Sequence, residues 1–190
     1  MSHVARCTLK SMSPYGQSRF HATEKLPKES CDDYDKRTWP ERLHTDEKGF
    51  VFIPGQAFKF CLDSAAKRLG IKIVGKRGGT YTKHFNSGVS VFEPMGLGIK
   101  KKDVPFQDLF LNADGVRGSG KRVMRRMPII QAWEGTVEFM VFDDVITEEI
   151  FTQVLKEAGK FIGIGQFRPE NGGSNGRFSV EKIKWMNYGD

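Results

Sequence analysis

Three segments of this chain place glycine, cations and aromatic rings within a few residues of one another. Between Gly75 and Phe85 lie Lys76, Arg77, Tyr81, Lys83 and His84, with glycine at 78 and 79. Between Asp114 and Arg126 lie Arg117, Lys121, Arg122 and Arg125, with glycine at 115, 118 and 120. The third segment, Phe161 to Phe178, carries Gly163, Gly165, Arg168 and Arg177, and six glycines fall between residues 159 and 176. Glycine lets a backbone approach a phosphate, Lys and Arg neutralise it, and a ring offers a face for a base. Gly163 and Gly165 read either as a phosphate cradle, with Phe167 or Phe178 able to stack, or as a plain turn from helix to strand.

The charge is segregated. The net balance is +7 over 190 residues. Ser64 to Phe92 holds six basic residues and no acid, and Gly115 to Trp133 holds five basic residues and no acid. Lys100, Lys101 and Lys102 lie between these runs. Glu134 to Glu157 reverses the pattern, with seven acids and only Lys156. Positive potential is thereby concentrated on some elements and removed from others, which favours a polyanion partner.

Catalytic groups are sparse. Asp32, Asp33 and Asp35 share one polar loop, where they could hold a metal or act as acid and base, and a solvated acidic loop is the plainer reading. His21, His44 or His84 could move a proton in RNA cleavage. His84 lies between Lys83 and Phe85, so an RNA contact without chemistry fits it equally well. Arg37, Trp39 and Arg42 add charge and a stacking ring to that first loop. The run Gly115 to Lys121 has the glycine and lysine spacing of a nucleotide-binding loop, but Arg122 stands where the magnesium-binding hydroxyl belongs, which excludes an NTPase. Cys7, Cys31 and Cys61 are far apart, with no zinc spacing, and read as reduced, mostly buried thiols. No metal and no cofactor is expected.

These residues need elements to position them. Alternating apolar residues from Val4 to Met12 predict a first strand, ended by a turn at Pro14, Tyr15 and Gly16. Residues 21–48 carry eight acids and six bases without an apolar period, and predict a long loop. Phe50 to Ile53 predicts a short strand. Pro54 then opens a helix whose apolar face is Phe58, Cys61, Leu62, Ala65, Ala66 and Leu69, and Gly70 ends it. Lys59, Lys67 and Arg68 are left for its outer face. Ile71 to Val74 and Val89 to Phe92 predict strands around the first basic loop. Residues 95–128 predict loops and a hairpin, and Ile129 to Phe142 one long strand. Thr147 caps a second helix with Glu148 and Glu149 in its first turn. Arg177 to Trp185 predicts the last strand. The order suits an α+β fold of ferredoxin-like β-α-β-β-α-β type, helices on one face of the sheet. It predicts a single domain over 1–190, with insertions at about 21–48 and 95–128.

Phe52-Ile53-Pro54-Gly55-Gln56-Ala57-Phe58-Lys59 at the start of a helix resembles the Ile-Pro-Gly-Ser-Ser-Leu-Lys-Gly helix start of the RAMP superfamily. That superfamily includes the backbone subunits of CRISPR effector complexes and the CRISPR repeat endonucleases. The glycine-rich loop after the second helix, followed by Arg177 and Phe178, resembles its C-terminal glycine-rich loop. Gln56 and Ala57 replace the usual Ser-Ser, and Phe60 the following Gly. The chain is shorter than most backbone subunits, as a reduced, stand-alone or mobile-element relative would be. The resemblance implies RNA along the first helix, with Lys59 as a contact, and makes 112–128 a candidate hairpin that wedges between bases. It also implies side-by-side stacking of subunits. Some backbone subunits carry a target-cleaving Asp in the loop after the first strand, which is where Asp32, Asp33 and Asp35 fall.

Two functions follow as expectations. The first is a non-catalytic subunit that binds RNA or single-stranded DNA and forms a homo-oligomer along it, with other ribonucleoprotein subunits as further partners. The second is an endoribonuclease using the 32–35 carboxylates or a histidine. No run approaches the ~20 apolar residues of a membrane span, and Met1 to Lys10 is too polar for a secretory signal. A soluble, cytoplasmic protein is expected.

Overall fold

The computed structural model describes residues 2–113, 118 and 120–189. Its architecture is α+β. Strand β1 (His3–Ser11) runs antiparallel to β8 (Glu134–Val141) on one side and β9 (Phe178–Asn187) on the other. A short β4 (Val89–Ser90) extends the sheet beyond β8, giving the order β4-β8-β1-β9. Alternation sends Ala5, Cys7 and Leu9 into the core and leaves Arg6 and Lys10 outside, where Arg6 meets Glu138 at 2.6 Å.

Two helices cover the inner face. Helix α2 (Gly55–Leu69) buries Phe58, Leu62 and Ala65, and Gly70 closes it in the left-handed conformation. Helix α4 (Glu148–Glu157) begins where the Thr147 side chain accepts from Ile150 N–H. Its Phe151 ring lies 5.3 Å from Phe139 and 5.5 Å from Trp185, so helix and sheet share one aromatic core.

A second layer carries the site. Strands β6 (Phe106–Asn112) and β7 (Arg122–Ile130) form an antiparallel hairpin, joined at the base of β7 by β2 (Tyr15–Gly16). Strand β3 (Phe50–Ile53) pairs with β5 (Met95–Lys100).

Several sequence expectations are corrected. The single strand expected from Ile129 to Phe142 is two strands in different sheets, broken at Gln131, Ala132 and Trp133. Trp133 is buried against Phe58 and Phe178 and exchanges hydrogen bonds with Ser11, so burial of one large ring turns the chain. The loop at 21–48 contains α1 (Cys31–Thr38), capped by Ser30, whose Oγ accepts from Asp33 N–H at 3.1 Å. The first basic loop leads into α3 (Thr82–Gly88), and the strand expected at 71–74 is reduced to one bridge between Lys72 and Thr80. The strand expected over 89–92 shortens to β4.

Candidate nucleic-acid interface

The loop from Gly163 to Arg177 is tied down at many points. Gln166 N–H donates to Gly16 O at 2.9 Å, Gly176 N–H to Pro14 O at 2.7 Å, and Ile164 N–H to Gly176 O at 3.0 Å. Gly165 and Gly176 both have φ of 74°, and a Cβ would lie 2.4 Å from Gly16 O at the first and 1.8 Å from Ile164 O at the second. Only glycine supplies both the positive φ and the missing volume. Gly163 does the same against Pro169. These glycines therefore hold the loop in shape before any ligand arrives.

Phe167 departs from the rule. It has φ of 56° without being glycine, and the residue is 38% exposed. Bulky residues rarely occupy that region, and such strain gathers where a side chain must be presented. The loop tip carrying Phe167 borders two cavities at once.

The smaller cavity, about 420 Å³, lies between the loop and the start of α2. Phe60 and Ser64 of α2 line it, with Gln17, His44, Gly165 and Arg168 opposite. Burial, with the nearby Arg19, lowers the pKa of His44, so the ring faces the cavity neutral at pH 7. Arg168 gives its Nε to Glu170 at 2.9 Å. Burial pushes the Glu170 carboxyl up, but hydrogen bonds from Ser64 and Arg168 and the Lys67 charge hold it below the ordinary range.

The larger cavity, about 790 Å³, lies between the loop and the hairpin. Arg42, Arg122 and Arg125 line it, with Phe167, Asn171 and Gly173 across from them. Arg122 stands 4.8 Å over the Phe110 ring and donates to Phe110 O. Arg125 and Arg126 point to opposite faces of β7, as the strand period requires. Arg125 faces the cavity. Arg126 forms a two-toothed pair with Asp108 at 2.7 Å and lies 3.7 Å over Phe106, and its guanidinium holds the Asp108 carboxyl below its usual value.

Of the residues that the sequence singled out, the structure brings together Gly163, Gly165, Arg168, Arg122 and Arg125, and leaves others apart. Lys59 is only 8% exposed; its Nζ binds Asp63 and the carbonyls of Phe85 and Asn86, so it fastens α3 to α2 and is no ligand contact. Tyr81 is buried and cannot offer a stacking face, and Phe178 is a core ring at 1% exposure. Arg37 is bound through two nitrogens to Glu29 and a third contact to Glu24 O. Trp39 packs 5.4 Å from Phe106. Arg177 donates to Lys160 O. Lys121 is exposed on the hairpin. Lys76, Arg77 and Lys83 are exposed around α3, and none of them lines either cavity. Arg117 lies outside the described residues.

The candidate catalytic groups are scattered. Asp33 accepts from the Ser30 hydroxyl at 2.6 Å and completes a helix cap, while Asp32 lies in the same first turn. Asp35 is 1% exposed, with both oxygens taken by arginines, so it is closed to an attacking water or a metal. His21 stacks on Tyr34 at 6.2 Å. His84 binds Asp143 through Nδ1 at 2.7 Å. No group of three or more His, Cys, Asp or Glu side chains is arranged to hold a metal among the described residues. Phe60, which the sequence reading did not place in the site, carries a signal in retrospect: it is a large apolar residue off the buried stripe of α2, 62% exposed.

The chain matches no family model and no curated protein by sequence. Among solved structures it is similar to a chain of the type III-B Cmr-beta complex bound to cognate target RNA, with a TM-score of 0.53 and 11% identity. That match covers 98% of this chain and 61% of the other, so this chain spans about three fifths of that chain's length. Cmr6 from Pyrococcus furiosus also matches, at 13% identity and a TM-score of 0.45, over 95% of this chain and 99% of the other. What the first of these shares with this chain is the fold. No helix among the described residues is long and apolar enough to cross a membrane.

Proposed function

We propose that this chain is an RNA-binding subunit of the RAMP kind, holding a single strand by its phosphates along the glycine-rich loop. The observation that carries the reading is the larger cavity: three arginines line it, and a strained, exposed Phe167 stands beside them. Such a site neutralises a backbone without reading a sequence and stacks a base without selecting one. Arg122 and Arg125 would contact phosphates, Phe167 would take a base, and the hairpin would form the far bank. The strand order β4-β8-β1-β9, with α2 and α4 as its crossovers, supports a ferredoxin-like unit as the scaffold. The fold likeness to a chain of an RNA-bound complex supports RNA over DNA.

Assembly along the strand is part of the proposal. Basic hairpin and acidic segment lie on different elements, and the exposed Glu148 and Glu149 offer a neighbouring copy's cations a partner. The subunit is read as non-catalytic. The direct test is fluorescence anisotropy with labelled homopolymer RNA and single-stranded DNA across a salt series. Binding at low salt that weakens by about 0.7 log units per tenfold salt for each neutralised phosphate is expected. Absence of binding at low salt rejects the reading.

The His84–Asp143 pair favours a second reading, an endoribonuclease in which the carboxylate orients the imidazole as proton acceptor or donor. Burial opposes ionisation of Asp143, yet the Val145 N–H, His84 and Lys76 hold its pKa below the ordinary value. Labelled RNA left intact by a molar excess of protein, with and without magnesium, eliminates this route. Cleavage abolished by His84→Ala establishes it.

A further inference from the structure

Asp35 sits on α1 with 1% of its surface exposed. Its Oδ1 accepts from Arg42 Nη2 at 2.8 Å and its Oδ2 from Arg125 Nη1 at 3.1 Å. The two arginines come from distant places, the turn after α1 and strand β7, and both line the larger cavity. Arg42 is further fixed by Met127 Sδ, and its Nε is buried without a hydrogen-bond partner among the described residues. Arg125 also gives Nη2 to Ala113 O at 3.3 Å.

We infer that Asp35 is a positioning residue for phosphate: a fixed counter-ion that aims Arg42 and Arg125 into the cavity and offsets one of their two charges. The inference rests on the RNA-binding reading above. Asp35 is 1% exposed with an arginine on each carboxylate oxygen, so it is shielded from a reacting group and acts through the arginines. A guanidinium carries five N–H donors in a rigid fork, and a carboxylate that takes one or two leaves the others aimed. Two long side chains are thus ordered before the strand arrives, which lowers the entropic cost of association. The same carboxylate limits the cavity's positive field, so the site's affinity is set by a balance of three groups and not by arginine count alone.

This predicts a specific change when the charge is removed and the shape kept. Asp35→Asn raises the cavity charge by one and loosens both forks. Binding should tighten at low salt, where charge dominates, and weaken at high salt, where preorganisation dominates. The added charge steepens the slope of log affinity against log salt, while the lost preorganisation lowers affinity by the same factor at every salt concentration. The experiment measures homopolymer RNA affinity from low to high salt for the wild type, Asp35→Asn and Asp33→Asn, the last being an exposed carboxylate on the same helix. The expected result is a slope steeper by about 0.7 for Asp35→Asn alone, the increment of one more phosphate on a single strand. Asp35→Glu, which keeps the charge, should restore the wild-type slope. An Asp35→Asn protein that melts earlier but keeps the wild-type slope, or shows a shallower one, overturns the inference and makes Asp35 a structural clamp only. If Asp35→Asn does not fold, Arg42→Gln decides: a slope shallower by about 0.7 supports the inference and an unchanged slope overturns it. Wild-type protein that binds no RNA at low salt defeats the RNA reading itself, whereas binding with an unaltered Asp35→Asn slope defeats this inference alone.

Discussion

Phe167 and Lys59 show how one side chain's surroundings decide between ligand contact and internal staple. Phe167 is presented by an unfavourable backbone at the meeting point of two cavities. Its ring should carry one stacked base, and Phe167→Ala should weaken single-strand binding by about 1–3 kcal/mol, read by anisotropy, with the salt slope unchanged. Lys59 is the converse: a buried ammonium spent on Asp63 and two carbonyls at the end of α3. Lys59→Met leaves those carbonyls and Asp63 without their donor, and should destabilise the fold by about 3 kcal/mol in denaturant titration without altering RNA affinity at a matched folded concentration. Glu29 supplies a pH signature. The Arg37 hydrogen bond holds its carboxyl down to about 2 from an ordinary 4.5. A depressed carboxyl stabilises the folded form above the unfolded value and ceases to do so as protonation proceeds. Amide protection factors, from which the intrinsic pH dependence of exchange is removed, should therefore fall in the segment around Glu29 and Arg37 as pH drops from about 4.5 toward 2, and stay level above that window.

At the scale of elements, the glycine-rich loop is the part on which both cavities depend. Gly165→Ala forces a Cβ to within 2.4 Å of Gly16 O at a φ of 74°. The loop must lift from β2, so RNA affinity should fall together with the melting temperature, the binding loss exceeding what unfolding explains. Helix α2 was legible from sequence because Pro54, the apolar stripe and Gly70 all mark the same bounds. Helix α4 was legible from Thr147 and its two following acids. The break between β7 and β8 was not, because Gln131, Ala132 and Trp133 include no turn former and the bend comes from burying Trp133. Helix α3 hid behind a glycine- and lysine-rich run whose helical residues are held by Lys59 from another element. The Asp35 clamp joins residues 90 apart in sequence and has no local signature at all. Composition located the basic hairpin and the glycine loop; only tertiary packing showed that α3 and its cations stand outside the cavities.

At the scale of the whole molecule, two groups of cations among the described residues stand apart. Arg42, Arg122, Arg125 and Arg168 border the cavities, while Lys76, Arg77 and Lys83 surround α3. A strand that simply coated a positive surface would use both regions. A strand seated along the glycine-rich loop uses the first. The measurement that separates these is the salt dependence of single-stranded RNA affinity for two double variants, Arg122→Gln with Arg125→Gln, and Lys76→Gln with Lys83→Gln. Seating along the loop predicts a slope shallower by about 1.4 for the arginine pair, because two phosphates go without a neutralising cation, and little change for the lysine pair. Equal losses in both variants, or a loss confined to the lysine pair, would contradict it.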